Sequence, residues 1–167
     1  MSTASIKKIF KGFLSLLYPI LVGIILGYII FTFVWIPTES MEPTLRKNSL
    51  AISWALPYRF GDPEPERGDI VLFSQCEHNK LLVKRVIAIG GDTVVITEGT
   101  VYLNGDALDE PYLKMPKSTL SDTVEFNIPD GCFFALGDNR LQSADSRFWK
   151  YPYTPYENIN SKILLLH

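Results

Sequence analysis

An uncharged, apolar stretch covers residues 13–36 and constrains this chain more than any other feature. At a rise of about 1.5 Å per residue, a helix of this length crosses a hydrocarbon layer of roughly 30 Å. Trp35, near the end of the stretch, is typical of an aromatic anchor at a membrane interface. We therefore predict that residues 13–36 form a transmembrane helix.

The charges that flank this stretch predict its orientation. Lys7, Lys8 and Lys11 precede it, and no acidic residue occurs before Glu39. The positive-inside rule then places residues 1–12 in the cytoplasm and residues 37–167 across the membrane. The alternative is a cleaved secretory signal, which has an apolar region of about 7–15 residues and a small-x-small site. We expect instead an uncleaved, single-pass anchor in the cell (inner) membrane.

Composition limits what residues 37–167 can do. They suffice for one domain with a modest core. The net charge of the chain is −2, and no basic stripe follows the N-terminal lysines, so nucleic-acid binding is not expected. The two histidines show no ligand spacing, and we expect neither a metal nor a cofactor. Cys76 and Cys132 form either a disulfide or two separate thiols, and the sequence leaves both open.

Short β-rich runs separated by turn signals fill most of this domain. Glu98-Gly99, Asn104-Gly105 and Pro129-Asp130-Gly131 are typical of tight turns between strands. No long amphipathic helix pattern separates the runs, which favours a mainly β, antiparallel and partly closed sheet. The predicted strands are residues 69–73, 81–89, 92–97, 100–103, 123–128 and 132–136.

Residues 54–67 contain three prolines and three aromatic residues and predict an irregular segment. A loop folded over the core is the common outcome for such a segment. The alternative is that Trp54, Tyr58 and Phe60 enter the membrane interface, and the sequence leaves this open.

Ser40 directly follows the apolar stretch, in the proline-flanked sequence PTESMEPT at residues 37–44. A serine hydroxyl is a poor nucleophile until a neighbouring base takes its proton. Neither histidine lies near a plausible acidic partner in the sequence, which disfavours a Ser-His-Asp arrangement. A lysine is the other candidate for the base.

Lys84 is the best candidate for such a lysine. Strand alternation places Leu82, Lys84, Val86 and Ala88 on one face, which is apolar except for the lysine. With a reference pKa near 10.4, only about one lysine in 2,500 is neutral at pH 7, but burial lowers the pKa by several units. The alternative is a lysine whose head group reaches water. The local pattern does not decide between them.

A dense polar loop, GDNRLQSADSR at residues 137–147, follows an apolar strand. It is either a solvated loop or a loop that orients catalytic groups. In the second interpretation Ser143 would hydrogen-bond the lysine, and Asp145 with Arg147 would brace the turn.

Four motifs in this chain resemble those of bacterial type I signal peptidases, which are membrane-bound serine proteases with a Ser/Lys dyad. They follow the apolar span in the family's order, and the resemblance covers almost everything after residue 30. It favours Lys84 as a base over a solvated lysine. The motifs are PTESMEPT at 37–44, RGDIVLF at 67–73, KRVIAIGGD at 84–92 and GDNRLQSADSR at 137–147.

The resemblance implies a role for individual residues. Ser40 would be the nucleophile, Lys84 the general base, and Thr38 an oxyanion-hole donor beside the Ser40 backbone N–H. Ser143 would orient Lys84. The residues that would hold the loops together are Arg85, Asp138, Asp145 and Arg147. The residues that would line shallow pockets for small side chains are Ile36, Met41, Leu45, Leu82 and Val83.

The activity that the resemblance implies is removal of N-terminal signal peptides from exported preproteins, with cleavage after Ala-x-Ala. Its partners would be preproteins and membrane lipid. The chain departs from the family at Thr38, where serine is usual, and residues 109–122 are short where many relatives carry a second β domain. We therefore expect a compact member.

Other functions remain open at this stage. A dedicated peptidase of the same fold, for example one that matures pilin or conjugation proteins, would share every residue named above. A non-catalytic, membrane-anchored domain that binds exported proteins would make Ser40 and Lys84 dispensable. A self-cleaving Ser/Lys regulator is disfavoured by the apolar span.

Overall fold

Strands dominate the chain after residue 30. The computed structural model describes residues 3–61, 64–75, 77, 80–120 and 122–164, without the side chains of residues 3–10, 14, 26, 28 and 29. The helices are α1 (Thr3–Ile30) and α2 (Leu56–Phe60). The strands are β1 (Phe31–Ile36), β2 (Ser49–Trp54), β3 (Ile70–Gln75), β4 (Lys80–Ile89), β5 (Thr93–Thr97), β6 (Thr100–Leu103), β7 (Asp106–Ala107), β8 (Val124–Asn127), β9 (Cys132–Leu136), β10 (Thr154–Pro155) and β11 (Ile159–Leu164).

These strands form two antiparallel sheets. The larger has the order β1-β2-β11-β3-β4-β9-β10, and the smaller has the order β7-β6-β5-β8. In the larger sheet the β1–β2 hairpin meets β3 and β4 through β11, a strand from a distant part of the chain. The prediction of a mainly antiparallel β domain is confirmed.

The six strands predicted from the sequence all occur, with ends that differ by at most two residues. Two of the predicted turns have the left-handed backbone that asparagine and glycine favour. Glu98 and Gly99 have φ values of 48° and 78°, and Asn104 and Gly105 have values of 53° and 93°. Positive φ at both central residues is the geometry of a type I′ turn, which matches the twist of the strands it joins.

The apolar stretch is not helical to its end, and the prediction of one helix over 13–36 is wrong there. Helix α1 ends at Ile30, and residues 31–36 form β1 in a six-residue antiparallel register with β2. The run Phe-Thr-Phe-Val-Trp-Ile is aromatic and β-branched, a composition that suits a strand once a partner is available. Among the described residues, no helix combines the length and hydropathy of a membrane span.

Residues 54–60 are more regular than predicted. Trp54 is the last residue of β2, and Leu56–Phe60 form the short helix α2. Pro57 lies in the first turn of α2, where a backbone N–H would have no partner within the helix, so the missing N–H of proline costs no hydrogen bond. Tyr58 packs against a buried cluster, whereas Phe60 is 76% exposed. The three aromatic residues therefore do not share one environment.

Strand β4 contains a bulge that changes which face its later residues occupy. The register with β9 pairs Val86 with Ala135 and then Ala88 with Phe134, so one residue of β4 is extra. Val86 lies in a cluster with Val71, whereas Ala88 lies in a different cluster with Phe134. The prediction that Ala88 shares the face of Lys84 is therefore wrong, because strict alternation ends at the bulge.

Three apolar clusters hold the sheets together. One packs inside the smaller sheet against the end of β4 and β9, and a second lies under the middle of β3 and β4. The third joins β1 and β2 to the residues that follow Ser40. Cys76, His78 and His167 lie outside the described residues, so both interpretations of the two cysteines stay open.

Candidate active site

Ser40 and Lys84 are brought together by the fold. Ser40 lies in the turn that follows β1, and Lys84 lies in the middle of β4, opposite Val71 of β3. Lys84 Nζ is 2.7 Å from Ser40 Oγ, and both residues are buried, with 4% and 7% exposure. An amine at this distance is within reach of the hydroxyl proton, as a general base must be.

Burial makes Lys84 easier to deprotonate. It lowers the pKa of the Lys84 ammonium from 10.5 to about 8, because the charged form loses its hydration. The carboxylates of Asp145 and Asp138 oppose this shift, and the guanidinium of Arg147 adds to it. Each carboxylate is itself paired with an arginine, so neither serves as a dedicated counter-ion for the lysine.

Arg85, next to the lysine, anchors the polar loop to the sheet. Its Nε and Nη2 donate to Asp138 Oδ1 and Oδ2 at 2.8 and 2.7 Å, and its Nη1 donates to the Gly68 carbonyl at 2.9 Å. Thr44 Oγ1 also donates to Asp138 Oδ2. This buried fork links β4, the loop after β9 and the turn that carries Ser40.

Asn139 fixes the backbone carbonyls of Ser40 and of the residue before it. Its N–H donates to the Ser40 carbonyl at 3.0 Å, and its Nδ2 donates to the Glu39 carbonyl at 3.1 Å. Sequence reasoning assigned no role to Asn139 or to Thr44. The sequence signal was weak, because a single asparagine in a polar loop is usually a turn residue.

Asp145 and Arg147 brace the other end of the loop. Arg147 Nε and Nη2 donate to the two carboxylate oxygens of Asp145 at 2.8 and 3.0 Å. Asp145 Oδ2 also accepts the Gly137 N–H at 3.1 Å. Both side chains are buried, so this pair shapes the loop near Lys84.

Ser143 lies in the same loop but makes no hydrogen bond to Lys84 in the described geometry. Its Oγ is buried and has no hydrogen-bond partner among the described residues. The facing position is Gly137, where a Cβ would collide with the Ser143 side chain and with the Ser40 carbonyl. The close packing explains why this position has no side chain.

Thr38 is exposed beside the nucleophile, with its Oγ1 3.3 Å from Ser40 Oγ. A cleft of about 390 Å³ opens next to it, between β1 on one side and β3 and β4 on the other. Among the five predicted pocket residues, Leu45 does not line this cleft and instead packs in the buried cluster below it. The four that line the cleft are Ile36, Met41, Leu82 and Val83.

Comparison with known proteins shows which family this chain is similar to. Residues 9–166 match the family described as signal peptidase, peptidase S26. The chain belongs to the signal peptidase family. Membership confirms the resemblance drawn from the four motifs and, with it, the peptidase class of the enzyme.

Individual signal peptidases agree with this assignment. A probable signal peptidase I-2 from Synechocystis sp. is 40% identical over 139 residues, which cover 77% of this chain and 62% of that protein. A signal peptidase I from Leptolyngbya laminosa is 38% identical over 149 residues, which cover 82% of this chain and 70% of that protein. The matches leave part of each relative uncovered.

A solved signal peptidase structure shares the fold. The crystal structure of a signal peptidase I from Enterococcus faecalis V583 superposes with a TM-score of 0.53 and 28% sequence identity. The superposition covers 60% of this chain and 97% of that one. The β domain described above is therefore a signal peptidase fold.

We predict that Lys84→Met stabilises the protein at neutral pH. Below pH 8 the ammonium must be protonated in a buried site, so its removal gains up to about 3 kcal/mol, the equivalent of lowering a pKa from 10.5 to about 8. Between pH 8 and 10.5 the unfolded chain binds more protons here than the folded one, so wild-type stability rises and the difference narrows. Urea unfolding across this range measures it.

The matched control is Lys80→Met, which removes an exposed lysine at the start of the same strand. We expect its stability to stay close to that of the wild type at every pH. A Lys84→Met protein that is less stable than the wild type at pH 7, with a pH-independent difference, would contradict the buried, easily deprotonated lysine.

Proposed function

We propose that this chain is a membrane-anchored serine endopeptidase that removes N-terminal signal peptides from exported preproteins, cutting after small residues of the Ala-x-Ala type. One observation carries the proposal: the Lys84 amine lies 2.7 Å from the Ser40 hydroxyl at a site that lowers the lysine pKa. A nucleophile with an adjacent, partly neutral base is what acyl transfer requires.

In the proposed first step, neutral Lys84 Nζ takes the Ser40 proton while Oγ forms a bond to the carbonyl carbon of the scissile peptide. The ammonium then gives that proton to the leaving amine as the C–N bond breaks, which leaves an acyl-enzyme. In the second step, Lys84 takes a proton from water as the water oxygen attacks the ester carbon. The bond between that carbon and Ser40 Oγ then breaks, the proton passes from Lys84 to Oγ, and the acyl product leaves as a carboxylic acid.

The oxyanion would be stabilised by the Thr38 hydroxyl and the Ser40 backbone N–H. Support comes from the position of Thr38 Oγ1, 3.3 Å from Ser40 Oγ on the exposed side of the nucleophile. A donor in this role typically contributes about 3–4 kcal/mol in the transition state. The threonine keeps the hydroxyl of the serine usual in the family and restricts its rotation through the added methyl.

Substrate selection would depend on the cleft beside Ser40. An extended peptide laid along β1 would meet side chains that leave room for small groups. Such a site selects small residues by excluding larger ones, since a missing methylene alone changes binding by only about 1–3 kcal/mol. We assign this selection to Ile36, Met41, Leu82 and Val83.

Attachment to the membrane is part of the proposal. Helix α1 carries no charge from residue 13 onward, and most of its described apolar side chains are exposed; Tyr18 and Leu16 are 72% and 66% exposed. An apolar helix with an uncovered surface suits lipid, with the N-terminal lysines in the cytoplasm and the β domain on the other side. Lipid would therefore be a partner alongside the preproteins.

The alternatives receive less support. A dedicated pilin or conjugation peptidase is not favoured, because the relatives that match are named signal peptidases. A non-catalytic binding domain would give no reason to bury a lysine against a serine hydroxyl, an arrangement that lowers stability.

We predict that the detergent-solubilised full chain cleaves a preprotein after its Ala-x-Ala sequence. Ser40→Ala and Lys84→Ala should each reduce kcat by at least about 10³-fold, because nucleophile and base act as a unit. Lys84→Arg should be equally inactive, since a guanidinium keeps its proton at accessible pH. The products are identified by mass spectrometry of the new N-terminus.

Lys80→Ala serves as the control for lysine removal from β4, and we expect it to retain wild-type activity. Turnover by a Lys84→Arg protein would reject the base assignment. Failure of the folded wild type on a broad preprotein panel would reject the signal-peptide substrate.

We predict that Thr38→Val lowers kcat by about 10²- to 10³-fold and changes KM little, because the hydroxyl is needed chiefly in the transition state. Thr38→Ser, which keeps the hydroxyl, should stay close to the wild type. Steady-state kinetics on a preprotein separates the two constants. An unchanged kcat in the valine variant would exclude Thr38 from the oxyanion hole.

We predict that the β domain itself touches lipid through Trp54 and Phe60, which are 37% and 76% exposed. A chain that begins at Phe31 keeps β1, and its sedimentation with anionic liposomes should weaken when both residues become serine. Phe148→Ser is the control, because Phe148 is 64% exposed and lies beside Arg147 in the polar loop. Equal binding by all three proteins would contradict this contact.

A further inference from the structure

Three consecutive residues of the polar loop are each held by a different partner. Asp138 is held by Arg85, and Asn139 holds the Ser40 backbone. Arg140 is buried and reaches in another direction, to Glu110 in the segment between β7 and β8. Glu110 lies outside all four sequence motifs.

Arg140 makes an extensive set of contacts. Its Nη1 and Nη2 donate to the two carboxylate oxygens of Glu110, and its Nε donates to the Gly137 carbonyl at 3.0 Å. Its Nη1 also donates to Thr119 Oγ1. The Arg140 side chain is fully buried and that of Glu110 is 7% exposed. Separating such a pair leaves an uncompensated buried charge, which is strongly unfavourable.

Tyr112 joins this pair to the base of the active site. Its hydroxyl donates to Glu110 Oε1 at 2.9 Å, and its ring centroid lies 3.9 Å from the guanidinium carbon of Arg85. A cation over the face of a tyrosine ring is attracted to it, more strongly when both are shielded from water. Arg85 is itself 8% exposed and adjacent to Lys84.

These contacts close a circuit next to the Ser40–Lys84 pair. It runs from Tyr112 to Arg85, to Asp138, along the loop to Arg140, and through Glu110 back to Tyr112. The described residues of the segment 109–122 form no regular helix or strand, and the contacts of Glu110 and Tyr112 help to fix its position. The circuit encloses Asn139, which fixes the Ser40 carbonyl.

We propose that Glu110 and Tyr112 are positioning residues that hold the Ser40–Lys84 pair at reacting distance, through Arg140 on one side and Arg85 on the other. This inference rests on the proposed peptidase function. Release of Arg140 would let Asn139 and the Ser40 backbone shift, and release of Arg85 would loosen the strand position beside Lys84. A displacement of about 1 Å is enough to cost up to about 10²-fold in rate.

The test compares Glu110→Gln, Tyr112→Leu and Tyr112→Phe in the detergent-solubilised full chain. The matched controls are Glu125→Gln, an exposed acid on β8, and Tyr151→Leu, an exposed tyrosine whose ring lies near Lys150. For each protein, kcat and KM are measured on a preprotein, and the Lys84 pKa is followed by NMR of ¹³C-labelled lysine. Thermal unfolding gives the folded fraction.

We expect Glu110→Gln and Tyr112→Leu to lower kcat at pH 7 by about tenfold or more, with KM changed less than about twofold. Tyr112→Phe keeps the ring over Arg85 and should recover most of the activity. The Lys84 pKa should rise from about 8 towards 10.5 as water enters, so the loss in rate should shrink above pH 9. Loss of the Glu110 negative charge by itself would lower the Lys84 pKa. A rise in that pKa would therefore show that water has reached the lysine.

Two results would overturn the proposal. One is an unchanged kcat in folded Glu110→Gln and Tyr112→Leu proteins. The other is a loss of activity that follows the folded fraction while the Lys84 pKa stays at the wild-type value, which would be a purely structural effect. If Tyr112→Leu does not fold, the glutamine variant decides. If the wild type cleaves no preprotein, the proposed function fails, and the Lys84 pKa still tests the positioning.

Discussion

A lysine with almost no access to water determines how the rest of this site must be built. Lys84 can act as a base only when it is neutral. A lysine is partly neutral near pH 7 only if burial lowers its pKa and no unpaired negative charge nearby raises it again. The carboxylates of Asp138 and Asp145 raise the pKa of Lys84, and either would raise it more if it had no arginine partner. Each is instead held by an arginine in a two-pronged pair, Asp138 by Arg85 and Asp145 by Arg147. The arginines therefore give the loop its shape and also occupy the charges that would keep the lysine protonated.

The parts of this site come from separate regions of the chain. The Ser40–Lys84 contact joins residues 44 positions apart, and the Asn139 amide reaches a carbonyl 100 positions away. The sheet makes these contacts possible by placing β4 between β3 and β9, so that the lysine and the loop after β9 arrive together. The relative positions of Ser40, Lys84 and the polar loop therefore depend on the order of the strands in the sheet.

The sequence was informative where local patterns control structure. Alternating β-rich runs and Asn-Gly or Glu-Gly pairs predicted six strands and two turns, because positive φ and cross-strand burial are local requirements. The motifs placed Ser40 and Lys84 in one site before any geometry was known. Strand β1 was missed because its apolar run continues the helix pattern as well as it suits a strand, and only a partner strand decides between them. Strands β2, β7, β10 and β11 were also not predicted.

The site details that were missed depend on tertiary contacts. The bulge after Val86 moved Ala88 to another face, and Leu45 packs below the cleft instead of lining it. In the sequence, Asn139 and Tyr112 look like ordinary loop residues. Their contacts with the Ser40 carbonyl and with the Arg85 guanidinium are visible only in the folded chain. Periodicity carries no information about such pairs.

The place of β11 in the sheet also affects when the enzyme can become active during its own synthesis. This strand lies between the hairpin that flanks Ser40 and the strands β3 and β4, which include Lys84, yet its residues, 159–164, are synthesised after those of the ten other described strands. A nascent chain that already contains Ser40 and Lys84 therefore lacks the strand that joins their two halves of the sheet. The topology thus delays assembly of the Ser40–Lys84 pair until β11 has been synthesised.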